Sequence, residues 1–264
     1  MTAAKVLRDW LALIERHLLH LRRMRQRLIP IALAPAMFTL VFGVLFASVV
    51  VVTGGSYREY IMAGIVIQLM TSAMPAAAIG IIEDLRTGLM DRFRSLPMSG
   101  AAVLVGRSFG DMTTRAVCCV PMALVGVAIG WRVHRGVLGL LAGFAVLLLF
   151  GFALAWLGAL FGLLSGNPET AAGVPGLLLL PMTFLSNAFV PLNRLPGWLR
   201  TIAEWNPLSP VVTSARELWG NPNLDTVEGF PLRHPLLMTA IWWVAIMAVA
   251  VPLSVRRFRT ARIS

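Results

Sequence analysis

Charged side chains make up only 13% of the 264 residues, against roughly 25% in an ordinary soluble domain. Lysine is nearly absent: Lys5 stands alone beside 22 arginines. A P-loop needs a lysine behind a glycine-rich turn to reach nucleotide phosphates, and no such turn precedes Lys5. The sequence therefore carries no Walker-type ATP site, and an ATP-driven role demands another polypeptide. The only cysteines, Cys118 and Cys119, are adjacent inside an apolar run. That excludes a disulfide framework and leaves them as small packing residues. The four histidines, at 17, 20, 134 and 234, form no His-Glu-x-x-His zinc motif. His17 and His20 lack a third ligand at useful spacing, so no metal site is expected. An intramembrane Ser-Lys dyad would need a lysine within a span, and a Ser/His pair would need a buried histidine. Neither is offered, so no catalytic residue is assigned.

What is present is apolar: 58% of residues are hydrophobic and the mean hydropathy is +0.78. Six runs reach or exceed the ~20 residues that cross a bilayer, at about 30–52, 60–82, 103–130, 137–164, 173–192 and 235–255. Asp111 and Arg115 interrupt the third, whose embedded part is expected to begin only near Ala116. The net charge of +11 does not indicate nucleic acid. Arginines cluster at the ends of apolar runs, which is how membrane orientation is set, and basic patches interleaved with surface aromatics are missing. Fifteen Lys and Arg fall on the side of the two termini and the 83–107 loop, against seven on the other. Both termini are therefore expected in the cytoplasm of a multi-pass plasma-membrane protein. The first apolar run is expected to remain as an uncleaved span. Before it, Leu7, Leu11, Ile14, Leu18 and Leu21 recur at helical spacing among arginines, which describes a basic amphipathic helix lying on lipid.

Two segments carry most of the functional information. Between the second and third runs lies Glu83-Asp84-Leu85-Arg86-Thr87-Gly88-Leu89-Met90-Asp91-Arg92-Phe93-Arg94-Ser95-Leu96-Pro97. Leu85, Leu89, Phe93 and Leu96 share one helical face and the charges, alternating in sign, share the other. The segment reads either as a docking helix for a soluble partner or as a solvated loop. After the fifth run, Pro191, Pro196, Pro207 and Pro210 punctuate a stretch containing Trp198, Trp205 and Asn206. One straight helix is impossible there. Short broken helices dipping into the outer leaflet, or an outer loop with aromatic anchors, both fit. Among polar residues inside spans, Gln68, Thr71, Ser72, Thr183, Ser186 and Asn187 are candidates for lining a route, and interhelical packing explains them equally well. Asp111 and Arg115, four apart, can pair. Gly139/Gly143 and Gly158/Gly162 offer small faces for close helix packing. Leu164-Ser165-Gly166 is a turn before Pro168.

Taken together, Glu83, Gly88, Asp91-Arg92-Phe93-Arg94-Ser95-Leu96-Pro97, then Ser186-Asn187-Ala188-Phe189-Val190-Pro191, Leu195-Pro196-Gly197-Trp198-Leu199, Asn206-Pro207-Leu208-Ser209-Pro210 and Arg216-Glu217-Leu218 resemble the permease subunits of type-2 ABC exporters, most closely the daunorubicin/doxorubicin-resistance permeases. The resemblance runs over nearly the whole chain. It implies a connecting helix at about residues 5–27 and a coupling helix at 83–97 that sits in a cleft of the ATPase. It also implies outer re-entrant helices at about 193–214. One extra residue separates Glu83 from the glycine, so either Glu83 or Asp84 takes the family glutamate's place.

The resulting expectation is an all-α integral membrane fold: residues 1–29 an amphipathic connecting helix, 30–255 a six-span permease domain, 256–264 a basic tail. The resemblance implies a drug or lipid-like substrate exported with ATP hydrolysed elsewhere. No cofactor is expected in this chain, ATP and Mg being bound by a separate ATPase subunit. A second permease chain and membrane lipid complete the partners. A non-catalytic membrane scaffold is the alternative.

Overall fold

In a computed structural model, residues 25–49, 56–86, 100–223 and 229–260 are described. They form α1 (Arg25–Val49), α2 (Tyr57–Thr71), α3 (Ala73–Arg86), α4 (Gly100–Ile129), α5 (Gly136–Ser165), α6 (Pro168–Phe184), a 3-10 turn (Leu192–Arg194), α7 (Gly197–Trp205), α8 (Leu208–Trp219), α9 (Phe230–Arg233) and α10 (Pro235–Thr260). Among the described residues every regular element is helical. That is what an apolar solvent demands, since only a helix satisfies its own backbone within one segment.

Among the described residues, four helical stretches are long and apolar enough to cross a membrane: α2 with α3 (Tyr57–Arg86), most of α4 (Leu104–Ile129), α5, and most of α10 (Pro235–Phe258). The apolar part of α1, Leu33–Leu45, is shorter, and α6 has 17 residues. The fifth run was expected to continue to 192, but its helix stops at Phe184. Leu185 caps it (φ −84°, ψ 22°), and the chain turns through residues 185–189 to an extended Pro191. The third run also differs from expectation. Asp111 and Arg115 do not interrupt α4, which is continuous over 30 residues; Arg115 is buried and donates to Leu69 and Ser72 of the α2–α3 stretch instead of facing lipid.

The stretch α2–α3 is the buried centre, with Tyr60, Ala63, Val66, Ile67, Ala78 and Ile81 sealed from the surface. Two glycine seams on α5 set its neighbours. A Cβ on Gly158 or Gly162 would collide with the carbonyls of Met74 and Ala78 on α3. One on Gly139 or Gly143 would strike the Leu218 carbonyl and the Trp219 ring at the end of α8. Small residues thus let α5 back α3 at one end and α8 at the other. The molecule has two ends: Asp84, Arg107 and Phe258 mark one, and Tyr57, Trp131 and Arg216 mark the other.

Candidate functional site

At the first end, only the opening of the charged segment falls within the described residues. Glu83, Asp84, Leu85 and Arg86 form the last turn of α3, with Glu83 and Arg86 exposed. Gly88, Asp91, Arg92, Phe93, Arg94, Leu96 and Pro97 lie outside the described residues, as does the amphipathic segment before residue 25. Asp84 pairs with Arg107 of α4. Arg107 reaches it across Gly80, whose missing side chain leaves room for the guanidinium. The pair ties the two helices that bracket residues 87–99 and distinguishes the two acids: Asp84 is held within the protomer, while Glu83 is turned outward. It is partly exposed, and such a pair contributes only about 0.2–1 kcal/mol. Its role is therefore geometric more than energetic.

At the opposite end a buried polar node is built around Arg216, which is fully buried in α8. Its Nε donates to the Tyr60 carbonyl (2.9 Å) and its Nη2 to those of Asn187 (2.8 Å) and Ala188 (3.2 Å). Its guanidinium carbon lies 3.5 Å from the Tyr60 ring centroid, a cation–π contact that gains from desolvation. Tyr60 Oη donates to the Asn187 carbonyl (2.8 Å) and Tyr57 Oη to that of Phe189 (3.1 Å). Asn187 Nδ2 donates to Thr213 Oγ1 (2.7 Å) and its backbone N–H to Ser209 Oγ (3.3 Å). Gly64 is required here, because a Cβ would meet the Ala188 carbonyl. The node satisfies the turn that ends α6, whose carbonyls would otherwise be stranded in an apolar layer.

The proline-rich stretch follows the turn chemistry of its sequence. Pro191 and Pro196 are extended and precede the 3-10 turn and α7. Asn206 Oδ1 accepts from the Leu208 N–H (3.0 Å), while its Nδ2 donates to the carbonyls of Met182 (2.7 Å) and Leu185 (3.1 Å). It thereby ties α8 to the end of α6. Pro207 and the buried Pro210 flank the start of α8. Trp198 and Trp205 are exposed, at 70% and 54%, on a strongly amphipathic α7. Beside the node, Trp131 donates to Asn221 Oδ1 (2.8 Å) and packs edge-on to Trp219, centroids 5.0 Å apart. The half-buried Glu217 carboxyl is pushed above its usual range by burial, with Arg135 pulling the other way.

The six polar span residues separate into two groups. Thr183, Ser186 and Asn187 are fully buried within the protomer. Thr183 bonds the Leu179 carbonyl (2.7 Å) and Ser186 that of Thr183 (2.6 Å). Gln68, Thr71 and Ser72 sit at the break between α2 and α3, with Ser72 exposed and Gln68 partly so. The structure adds Arg107, Tyr60, Ser209, Thr213 and Arg216, to which the sequence assigns no individual role. Ser209, Thr213 and Arg216 share one face of α8 at helical spacing, and that polar stripe was the available signal.

The comparisons bear on both ends at once. The ABC-2 type transporter model matches residues 8–218, which include the charged segment and the node. The chain belongs to this family. Relatives of this ABC-2 member include the daunorubicin resistance ABC transporter permease protein DrrB1 of Streptomyces coeruleorubidus. It is 31% identical over 233 residues, 88% of this chain and 80% of the relative. The probable doxorubicin resistance ABC transporter permease protein DrrC of Mycobacterium tuberculosis (strain ATCC 25618 / H37Rv) is 26% identical, covering 84% and 78%. Nodulation protein J of Rhizobium leguminosarum bv. trifolii is 29% identical, covering 67% and 68%. The chain is thus a multi-pass membrane permease component of an ABC transporter. In this family that component associates with an ABC ATPase and is usually dimeric.

Proposed function

We propose that this chain is the membrane half of an ABC exporter for an amphipathic drug or lipid-like molecule, with six spans and both termini in the cytoplasm. The observation that carries the reading is the family match, which extends through residues 83–97 and the proline-rich stretch together. The drug-resistance names of two relatives support the substrate class. Arginine asymmetry supports the orientation and puts the Asp84–Arg107 end inside. In this reading residues 83–97 dock on a separate ATPase that binds ATP and Mg. Leu85, Leu89 and Phe93 face lipid or the helix bundle, while Asp91, Arg92 and Arg94 face the ATPase. A second permease chain completes the route, with Gln68 and Ser72 on the exposed side of α2–α3. Thr183, Ser186 and Asn187 serve inside the protomer.

The test uses inverted membrane vesicles from cells expressing the chain with its ATPase, and doxorubicin as probe. ATP-dependent uptake that is lost in the charge-reversed variant D91R/R92E, while the chain still folds and inserts, is the expected result. Uptake that is independent of ATP, or unchanged in that variant, would contradict the assignment.

A further inference from the structure

Arg115 occupies an unusual position. It lies midway along the 30 residues of α4, and it bonds residues midway along Tyr57–Arg86, itself 30 residues long. Two helices thus independently put it near the centre of the apolar layer, where an ionisable side chain is costly and usually functional. Only 9% of it is exposed. Its Nη1 donates to the Leu69 carbonyl (2.6 Å) and to Ser72 Oγ (2.8 Å). Asp111 lies one turn away on α4, at the spacing that brings charges together.

What Arg115 grips is a joint. Pro75 has no N–H to give the Thr71 carbonyl. Ser72 flattens to ψ −8°, away from the helical value near −42°. The backbone bonds that cross the break are long, Ser72 N–H to Gln68 and Ala76 N–H to Ser72 both at 3.4 Å. Hydroxyls reinforce them: Thr71 Oγ1 bonds the Gln68 carbonyl (2.9 Å) and Ser72 Oγ that of Leu69 (2.7 Å). A main-chain ladder is stiff, whereas hydroxyl and guanidinium contacts can re-form at another angle.

The joint divides two well-fastened blocks. On one side, α2 is bound to the α6 turn and α8 through Tyr57, Tyr60 and Arg216. On the other, α3 is seated on α5 by Gly158 and Gly162 and tied to α4 by Arg107. α5 backs both, so the joint permits a tilt of α3 along its glycine seam, not a separation.

We propose that the Ser72 break is the hinge through which movement at the Asp84 end reaches the Arg216 end, with Arg115 as the positioning residue that sets its bend. This rests on the proposed transporter role. The test takes the complex with its ATPase in proteoliposomes, with Cys118→Ser and Cys119→Ser, and bimane attached at Ile202→Cys on α7, a site 52% exposed. ATP hydrolysis reads the ATPase end, and the fluorescence change on adding ATP and vanadate reads the far end.

The parent should show both signals. Arg115→Leu should keep hydrolysis but cut the fluorescence response at least about fivefold, the low end of ordinary coupling energies. Arg115→Lys, which can still donate to both oxygens, should restore it. Pro75→Ala returns the missing N–H and should stiffen the joint with the same split, which keeps the idea testable should Arg115→Leu not assemble. A parental response at Ile202 in either Arg115→Leu or Pro75→Ala would overturn the hinge. Absence of any nucleotide-driven hydrolysis in the parent complex would instead remove the transporter role, and the hinge with it.

Discussion

Replacing Arg216 with methionine keeps the bulk of the side chain and removes its donors, and the structure specifies what is lost. Three carbonyls lose a guanidinium N–H, but not with equal consequence. Tyr60 keeps the donor that helix geometry supplies four residues on, at Gly64. Asn187 keeps the Tyr60 hydroxyl at 2.8 Å. Ala188 loses its guanidinium donor in a place that Gly64 keeps tight. A stranded buried carbonyl costs about 1–3 kcal/mol and each weakened one about 0.5–1.5 kcal/mol. No longer burying a charge offsets part of this. The net expectation is a loss of about 2–4 kcal/mol. At about 2–4 °C per kcal/mol for a chain of this size, the midpoint in detergent should fall by roughly 5–15 °C, followed by tryptophan fluorescence. The double-mutant cycle sharpens the test. Tyr60→Phe alone should be mild, because Arg216 still serves Asn187. In the methionine background it takes a second side-chain donor from the same carbonyl, so the two effects should exceed additivity by at least about 0.5 kcal/mol. A midpoint within 2 °C of the parent, or a strictly additive cycle, would refute the node as described.

Three further outcomes follow from the geometry. Gly158→Leu should destabilise by at least about 1–3 kcal/mol, the usual overpacking cost, because the obstacle is the Met74 backbone; unchanged thermal stability would deny the seam. Asp84→Asn should shift stability by less than about 1 kcal/mol yet lower ATP-coupled transport, so wild-type transport in that variant would leave the Asp84–Arg107 tie without function. Glu217 has a raised folded-state pKa, so its stabilising contribution is complete below the ordinary carboxylate range and is lost as pH rises through the raised value. Glu217→Gln should therefore melt higher than the parent at pH 7, with the gap closing below about pH 4; a gap that widens on acidification would reverse the sign.

Much of this architecture is legible in the sequence because membranes punish exceptions. Apolar runs had to become helices, and the glycine pairs of α5 mark where backbones touch. The charges at 83–86 form the last turn of α3, so the helix of the second apolar run extends beyond the run itself. Less legible is anything that depends on which neighbour a polar group meets. Arg216 looks like one more outer positive charge until α2 and the α6 turn close over it. Thr183, Ser186 and Asn187 look like a polar lining, but they hold the turn of their own helix. Asp111 and Arg115 look like a break in the third span, because a sequence cannot show Leu69 and Ser72 waiting on another helix. Pro75 behind Thr71 and Ser72 is the visible sign of the joint, since a proline has no N–H for the carbonyl four residues back.

The most direct measurement is affinity purification of the tagged chain from gently solubilised native membranes, followed by identification of its companions. The account predicts a stoichiometric P-loop ATPase that is retained by the parent and lost when Asp91 and Arg92 are charge-reversed in a chain that still folds. Recovery of the permease without an ATPase, under conditions that keep other membrane complexes whole, would contradict it and favour a scaffold instead.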